Sequence, residues 1–309
     1  MKILIIGTGG TGGCIGGYLA RSGNDVTFIA RGEHLAAMKE NGLRVKSARA
    51  GDFVLPSVKA CRMEDYREVP DVVFVCVKYY SLEEAIVFLE RIAEPHTIVI
   101  PILNVYGTGG KMQPRLKCRV LDGCVYIFSM IEAPGVICQP TDIFRLYFGP
   151  RKKDRLSAEE EQRMAEIEQR LNGAGIDACY SENIEADGLQ KFSFVSPMGA
   201  AGLYYHGVAG DFMTEGEKRR MFFALVREVE RLGKGMGLEF ERDLAENADS
   251  ILKGLTPEAT TSMQRDVYSG GKSEVDGLVH EMVRLGAEYG VDVPNYRKIS
   301  EWVKAEGIQ

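Results

Sequence analysis

Residues 1–17 read MKILIIGTGGTGGCIGG, an apolar burst ILII (3–6) followed by eleven residues of which seven are glycine. Such a run sits badly in a regular element unless something must come close to the backbone. Gly7, Gly9 and Gly12 stand in the order G-x-G-x-x-G, with Thr8, Gly10 and Thr11 between them. The apolar run before them reads as a strand. CIGGYLARSG (14–23) after them reads as a helix closed by Gly23. Strand, G-x-G-x-x-G, helix is the arrangement that holds a dinucleotide. The first glycine permits a tight turn, the second lets the backbone approach a pyrophosphate, and the third lets the helix pack on the strand. The helix N-terminus then presents free N–H groups and a positive dipole end to the phosphates. A tight packing turn is the competing reading. Gly10, Gly13, Gly16 and Gly17 suit close packing of the helix.

Working outward, DVTFIA (25–30) is a second strand and HLAAMKENG (34–42) a short helix stopped by glycine. DVVFVCV (71–77) and TIVIPI (97–102) are continuous apolar runs, as expected of parallel strands buried on both faces. SLEEAIVFLERI (81–92) has helical periodicity and opens on a Ser cap. The alternation predicts a doubly wound parallel sheet. After Asn104 the pattern changes to CVYIFSMI (124–131), the turn EAPG (132–135), VICQ (136–139) and FRLYFG (144–149), read as strands joined by tight turns. A helix at 157–175 capped by Ser157 and a strand at 177–182 follow. From about residue 184 only helical stretches remain. In the last, Val275, Leu278, Val279, Met282 and Val283 mark one face. The expected architecture is a Rossmann-type α/β domain over residues 1–183 and an all-α domain over residues 184–309.

Composition limits the partners. Thirty-eight Lys and Arg against forty-four Asp and Glu give a net charge of −6, which argues against general nucleic-acid binding. No apolar run approaches the ~18 residues of a membrane span. MKILII runs into glycine with no cleavage pattern, so a cytoplasmic protein is expected. The seven cysteines form no C-x-x-C pair and there are only four His. That predicts no zinc framework, and buried reduced thiols. The helical domain has enough apolar face for a homodimer, although such faces also pack within one chain.

The second strand ends in IARGEH, which puts Arg31 where an NAD site has an acidic residue. An arginine there can bind a 2′-phosphate and points to NADP. The alternative is a solvated Arg31, with Glu33 on the ribose. Lys78 and Asn104 each follow an apolar strand, at the end where open α/β sheets hold ligands. Lys78 could instead be a solvated strand-end lysine, and Asn104 a turn residue. Lys191, read as beginning a helix, has Phe194, Val195 and Met198 on its face. It is either a lysine with its head in water or a partly desolvated ammonium able to give a proton. Ser273 and Asp276 read as a capping pair that places Glu274 in the first turn of the last strong helix. There a glutamate suits the dipole as well as a site.

MKILIIGTGGTGG, VFVCVKYYSLEEA, PILNVYG, EAPGVI, LQKFSFV, SMQRDVYSGGKSEVDGLVHEM and YGVDVP, taken in order, resemble the ketopantoate reductase (2-dehydropantoate 2-reductase) family over residues 1 to about 296. The resemblance implies a C-terminal domain of the 6-phosphogluconate dehydrogenase C-terminal-like superfamily. It implies NADPH as cofactor and a branched 2-oxo acid as small-molecule substrate. It places the family's proton-donating lysine on Lys191 and its substrate-binding glutamate on Glu274. The carboxylate-binding serine falls on Ser262, the cofactor- and substrate-contacting asparagine on Asn104, and the cofactor-phosphate residues on Arg31 and Lys78. Asparagines that the family often carries one and two turns beyond the lysine read Val195 and Gly199 here. Its usual glycine after the asparagine reads Val105. A reductase of another bulky 2-oxo acid and a non-catalytic NADP-binding sensor are the alternatives.

Overall fold

The computed structural model describes all 309 residues. Contacts divide the chain into two units, Met1–Leu103 with Gly107–Ile184, and Asn104–Tyr106 with Glu185–Gln309.

The first unit opens with β1 (Lys2–Ile6), α1 (Gly10–Arg21), β2 (Asp25–Ile29) and α2 (Gly32–Asn41). Three short strands follow: β3 (Leu43–Ser47), β4 (Phe53–Leu55) and β5 (Lys59–Cys61). Then come β6 (Val72–Val75), α3 (Leu82–Ile92), β7 (Ile98–Pro101), α4 (Thr108–Met112) and β8 (Arg119–Val120). Six strands form a parallel sheet in the order β5-β2-β1-β6-β7-β8. Successive side chains of a strand face opposite ways, and both faces are covered. Ile3 and Ile5 join Phe28, Val72 and Phe74 in one core. Leu4 and Ile6 join Ile29, Val73 and Val75 in the other, beneath the apolar stripe of α3. This is why those runs carry no polar alternation.

The remainder of this unit is β9 (Asp122–Ile127), β10 (Met130–Ala133), β11 (Val136–Gln139), β12 (Phe144–Gly149), α5 (Ala158–Gly173) and β13 (Asp177–Tyr180). CVYIFSMI is therefore two strands rather than one. β9 joins the sheet β13-β12-β9, whereas β10 joins the sheet β10-β11-β3-β4. β10 runs through Ala133, so the turn narrows to Pro134–Gly135, with Gly135 at φ 74°. β11 lies parallel to β3, a pairing no tight turn can make. β3, β4, β5 and β8 carried no sequence signal. They are two to five residues long and are set by their sheet neighbours. Ser157 caps α5 in a reciprocal box with Glu160. Ser81 holds the N-cap position of α3, but its side chain caps nothing, because a 3₁₀ turn (Tyr79–Ser81) leads into the helix.

The second unit is helical throughout: α6 (Ile184–Tyr204), α7 (Ala209–Met213), α8 (Glu217–Gly235), α9 (Leu244–Lys253), α10 (Ser262–Tyr268), a π turn (Asp276–His280) running into α11 (Glu281–Glu288), and α12 (Pro294–Ala305). Glu228 of α8, wholly buried, accepts the N–H groups of Asn295 and Tyr296 and the Asn295 amide. It thus satisfies donors that the first turn of α12 would leave orphaned. Ser196 of α6 donates to Leu278 O at 2.5 Å and meets Tyr296 Oη at 2.6 Å. No helix is long and apolar enough to cross a membrane.

Three local expectations are corrected. Lys191 does not begin a helix; α6 starts at Ile184, about two turns earlier. Ser273 and Asp276 form no capping pair. Ser273 Oγ accepts from Val275 N and donates to Gln309 O, while the Asp276 carboxylate takes Arg284, so Glu274 lies in the bend just before the helix. No cysteine is in a disulfide, but only Cys14, Cys118 and Cys124 are buried, and Cys179 is exposed.

Candidate functional site

In the first unit the glycine loop lies at the carboxyl end of the parallel sheet. Gly7 has φ 92°, and a Cβ there would stand 2.8 Å from Cys76 O. At Gly12 a Cβ would stand 2.2 Å from Gly7 O, with Ile5 and Cys76 behind it. These two glycines let the loop fold back on itself and α1 press on β1. Gly9 differs: a Cβ there meets nothing within 4 Å. The backbone at Gly9 borders open space, and Gly9 is the N-cap residue of α1. No side chain caps this helix and no acidic residue stands in its first turn. The positive end of its dipole is thus left for an external anion.

Two neighbours hold the loop. Thr8 is buried, and its N–H and Oγ1 both donate to Ile29 O, at 3.1 and 2.9 Å. This ties the loop to the end of β2. Gly10 admits the chain between β9 and β10, since a Cβ there would stand 2.5 Å from the Ser129 backbone. Gly13, Gly16 and Gly17 seat Ile137, Phe28 and Val45 in the same way. Thr11 is partly buried in the first turn of α1. The meeting of Ser129 with the glycine loop gave no signal in the sequence, because it joins segments far apart in the chain. His34 is a second unread neighbour. Its Nδ1 accepts from Gly135 N at 3.1 Å, and burial lowers its pKa. The Cys14 thiol beneath the loop is pushed up to about 12 by burial, so it stays protonated.

The strand order sets β2 and β6 on either side of β1, so the segments after them flank the glycine loop. Arg31 is exposed at the N-cap position of α2, beyond the end of β2. Glu33 is exposed in the first turn of that helix. Lys78 is half-buried just beyond β6, at the N-cap of the 3₁₀ turn. Three cationic features, the α1 terminus, Arg31 and Lys78, thus stand along one edge of the sheet.

In the second unit one face of α6 organises the remaining residues. Gly188, Lys191, Val195, Gly199 and Gly202 succeed one another every three or four residues and so form one stripe. Lys191 is 8% exposed, and its Nζ donates to Asn104 Oδ1 at 2.8 Å. Its head is therefore not in water. Asn104 belongs to this unit by its contacts, although β7 precedes it in the chain. Farther along the stripe, α10 lies so close that a Cβ at Gly199 would stand 2.7 Å from Met263 Cε. A Cβ at Gly202 would stand 2.5 Å from Gln264 Cδ. α10 opens with a reciprocal cap between Thr261 and Gln264. Ser262 is its first residue, half-buried, and its side chain makes no hydrogen bond to the chain. Glu274 is 2% exposed, and its carbonyl accepts from Leu278 N. No group of three His, Cys, Asp or Glu is arranged to hold a metal ion.

Comparison with known proteins covers both units. Residues 3–153 match the family described as ketopantoate reductase PanE/ApbA, and residues 183–307 match its C-terminal domain. A relative from Bacillus subtilis, an uncharacterized oxidoreductase named YkpB, is 26% identical over 90% of this chain and 89% of its own. A 2-dehydropantoate 2-reductase from Pyrococcus abyssi is 28% identical over 95% and 94%. Among solved structures, D-mandelate dehydrogenase with NADH and anilino(oxo)acetate shares the fold at a TM-score of 0.87. It is 20% identical and covers 99% of this chain and 98% of its own. With residues 3–153 and residues 183–307 both matched, the chain belongs to the ketopantoate reductase family of oxidoreductases.

Proposed function

We propose that this protein reduces ketopantoate to pantoate with NADPH, a step toward pantothenate and coenzyme A. Lys191 is its proton donor. The observation that carries the reading is the buried Lys191 ammonium, held at 2.8 Å by a neutral amide oxygen. A lysine at so dry a position needs a reason. An amide acceptor favours its charged form.

The first unit suits a dinucleotide. Gly9 leaves room beside the uncapped α1 terminus, where a pyrophosphate would meet N–H groups of Gly10 and Thr11. Arg31 and Lys78 would take the 2′-phosphate, and their charge favours NADPH over NADH. Bound there, the cofactor would supply a hydride to the carbonyl carbon of the 2-oxo acid. Negative charge then grows on the carbonyl oxygen. Lys191 stabilises that charge and gives its proton to the oxygen. Lysine suits the task better than arginine, whose proton does not leave. Ser262, uncommitted at the start of α10, donates to the substrate carboxylate. Glu274 accepts from a substrate hydroxyl.

A second reading has its own observation. Val195 lies one turn beyond Lys191, and Met263 closes the place of any side chain at Gly199, so this face of α6 is apolar. Such a face suits a 2-oxo acid with a bulky hydrocarbon side chain. The test is the loss of NADPH absorbance when purified protein meets ketopantoate, with NADH and a panel of branched and aryl 2-oxo acids alongside. Loss with NADPH and ketopantoate supports the first reading. Loss only with hydrocarbon 2-oxo acids replaces it with the second. No loss with any of them rejects both.

A further inference from the structure

Residues 104–106 lie between β7 and α4 in the chain, yet their contacts are with the helical unit. The segment grips α6 at two points. Asn104 Oδ1 receives the Lys191 ammonium. Two residues on, the Tyr106 ring covers Gly188, where a Cβ would lie 3.7 Å from ring carbons Cδ2 and Cε2. The same ring meets Phe192, with centroids 6.3 Å apart and planes tilted by 54°. Gly188, Lys191 and Phe192 stand at i, i+3 and i+4, so ring and amide clasp a single turn. Gly107, left-handed at φ 69°, then turns the chain into α4. An asparagine on a short irregular segment holds one geometry only if its backbone is fixed, since ordering each residue costs conformational entropy. The ring over Gly188 is the apolar contact that can fix it.

We propose that Tyr106 is a positioning residue, whose ring, seated on Gly188 and Phe192, holds Asn104 against the Lys191 ammonium. The proposal rests on the reading of Lys191 as proton donor. An acceptor on the ammonium favours its charged form. Releasing Asn104 therefore lowers the pH at which Lys191 loses its proton, and turnover fails earlier on the alkaline side. The hydroxyl of Tyr106 is not what the contact uses. Gly188 matters because any side chain larger than a methyl would lift the ring.

The test uses the full-length protein and the variants Tyr106→Ala, Tyr106→Phe, Gly188→Ala, Gly188→Leu and Asn104→Ala. Two quantities are read. One is kcat and its pH profile with NADPH and the best 2-oxo acid. The other needs no turnover: the pH dependence of Lys191 acetylation by acetic anhydride, followed by mass spectrometry. Tyr106→Ala and Gly188→Leu are expected to lower kcat about tenfold or more, as small misplacements of a reacting group do. Both should shift the acetylation curve to lower pH, in the direction of Asn104→Ala. Tyr106→Phe and Gly188→Ala should stay within about threefold of the parent. Asn104→Ala combined with Tyr106→Ala should do no more than Asn104→Ala alone, because both remove one interaction.

An unshifted acetylation curve in Tyr106→Ala overturns the proposal. So does a Tyr106→Phe protein as impaired as Tyr106→Ala, which would move the effect to the hydroxyl. If Tyr106→Ala does not fold, Gly188→Leu and Tyr106→Phe decide the matter. If Lys191→Ala keeps its turnover, the proton-donor reading fails, while the acetylation curves still report whether Tyr106 holds Asn104 on the lysine.

Discussion

Gly9 and Gly199 are both glycines in a candidate site, and their surroundings are opposite. Around the missing side chain of Gly9 there is nothing within 4 Å. Around that of Gly199 there is Met263, already in the space. Gly9 leaves room for something outside the chain to approach. α6 keeps Gly188, Gly199 and Gly202 so that the chain itself can. The first use follows a spacing that can be read in one dimension. The second depends on which segment arrives, and no spacing records that.

The proposed function gives cofactor affinity to the loop and proton transfer to α6. The sharpest way to break it is Lys191→Ala. Turnover should fall by about 10²–10⁴-fold, the usual worth of a positioned general acid. NADPH binding, followed by fluorescence titration, should persist. Unchanged turnover would remove Lys191 from the chemistry. Loss of NADPH binding as well would show that the two duties are not separate.

Arg31→Ala should come next in size. The side chain is exposed and supports nothing in the fold, so its loss should weaken NADPH by about tenfold or more, the scale of a charge-assisted contact. NADH should bind as before, and melting should be unaltered. Equal losses for both nucleotides would reject a 2′-phosphate contact. They would return Glu33 as the residue on the ribose.

Legibility followed the same division. The parallel sheet was plain in the sequence because β1, β6 and β7 are buried on both faces, and uninterrupted Ile, Val and Phe can mean little else at that length. The glycine loop was plain because strand and helix bracket it. β3, β4 and β5 were not, since runs of only three to five residues match loops as well as strands. In the helical unit Lys191 stood out as a charge on an apolar face. Its partner Asn104 lies 87 positions away, and no local pattern joins them. Ser129 at Gly10 and Tyr106 at Gly188 were illegible for the same reason. Each is a meeting of segments whose sequences are ordinary by themselves.

Gly9→Ala turns that contrast into a measurement. The added methyl meets no atom of the protein. The N-cap backbone at φ −83° is open to alanine, at the expense of about 1 kcal/mol of helix stability. The fold should survive, while NADPH affinity should drop about tenfold or more from the lost approach of backbone to phosphate. Unaltered affinity would mean that the open space beside Gly9 is not where the pyrophosphate lies.

The smallest effects come from the later turns of α6, and there two glycines should part company. At both Gly199 and Gly202 an added Cβ is too close to α10, and in each case alanine gains up to ~1 kcal/mol of helix propensity over glycine. What differs is the atom it strikes. At Gly199 it is Met263 Cε, the far end of an unbranched thioether with several torsions to adjust. At Gly202 it is Gln264 Cδ, in a wholly buried amide. That amide cannot swing away. Its Nε2 donates to Gly207 O at 2.8 Å and its Oε1 accepts from Thr261 N at 2.9 Å. Displacing it leaves buried polar groups unpaired, at about 1–3 kcal/mol. Gly199→Ala should therefore melt close to the parent, and Gly202→Ala lower, by about 2–4 °C for each kcal/mol in a chain of this size. Equal melting temperatures would mean that α10 shifts as a body to admit either methyl. The close seat of α10 on α6 would then be adjustable, and the apolar face beyond Lys191 could not select a substrate by shape.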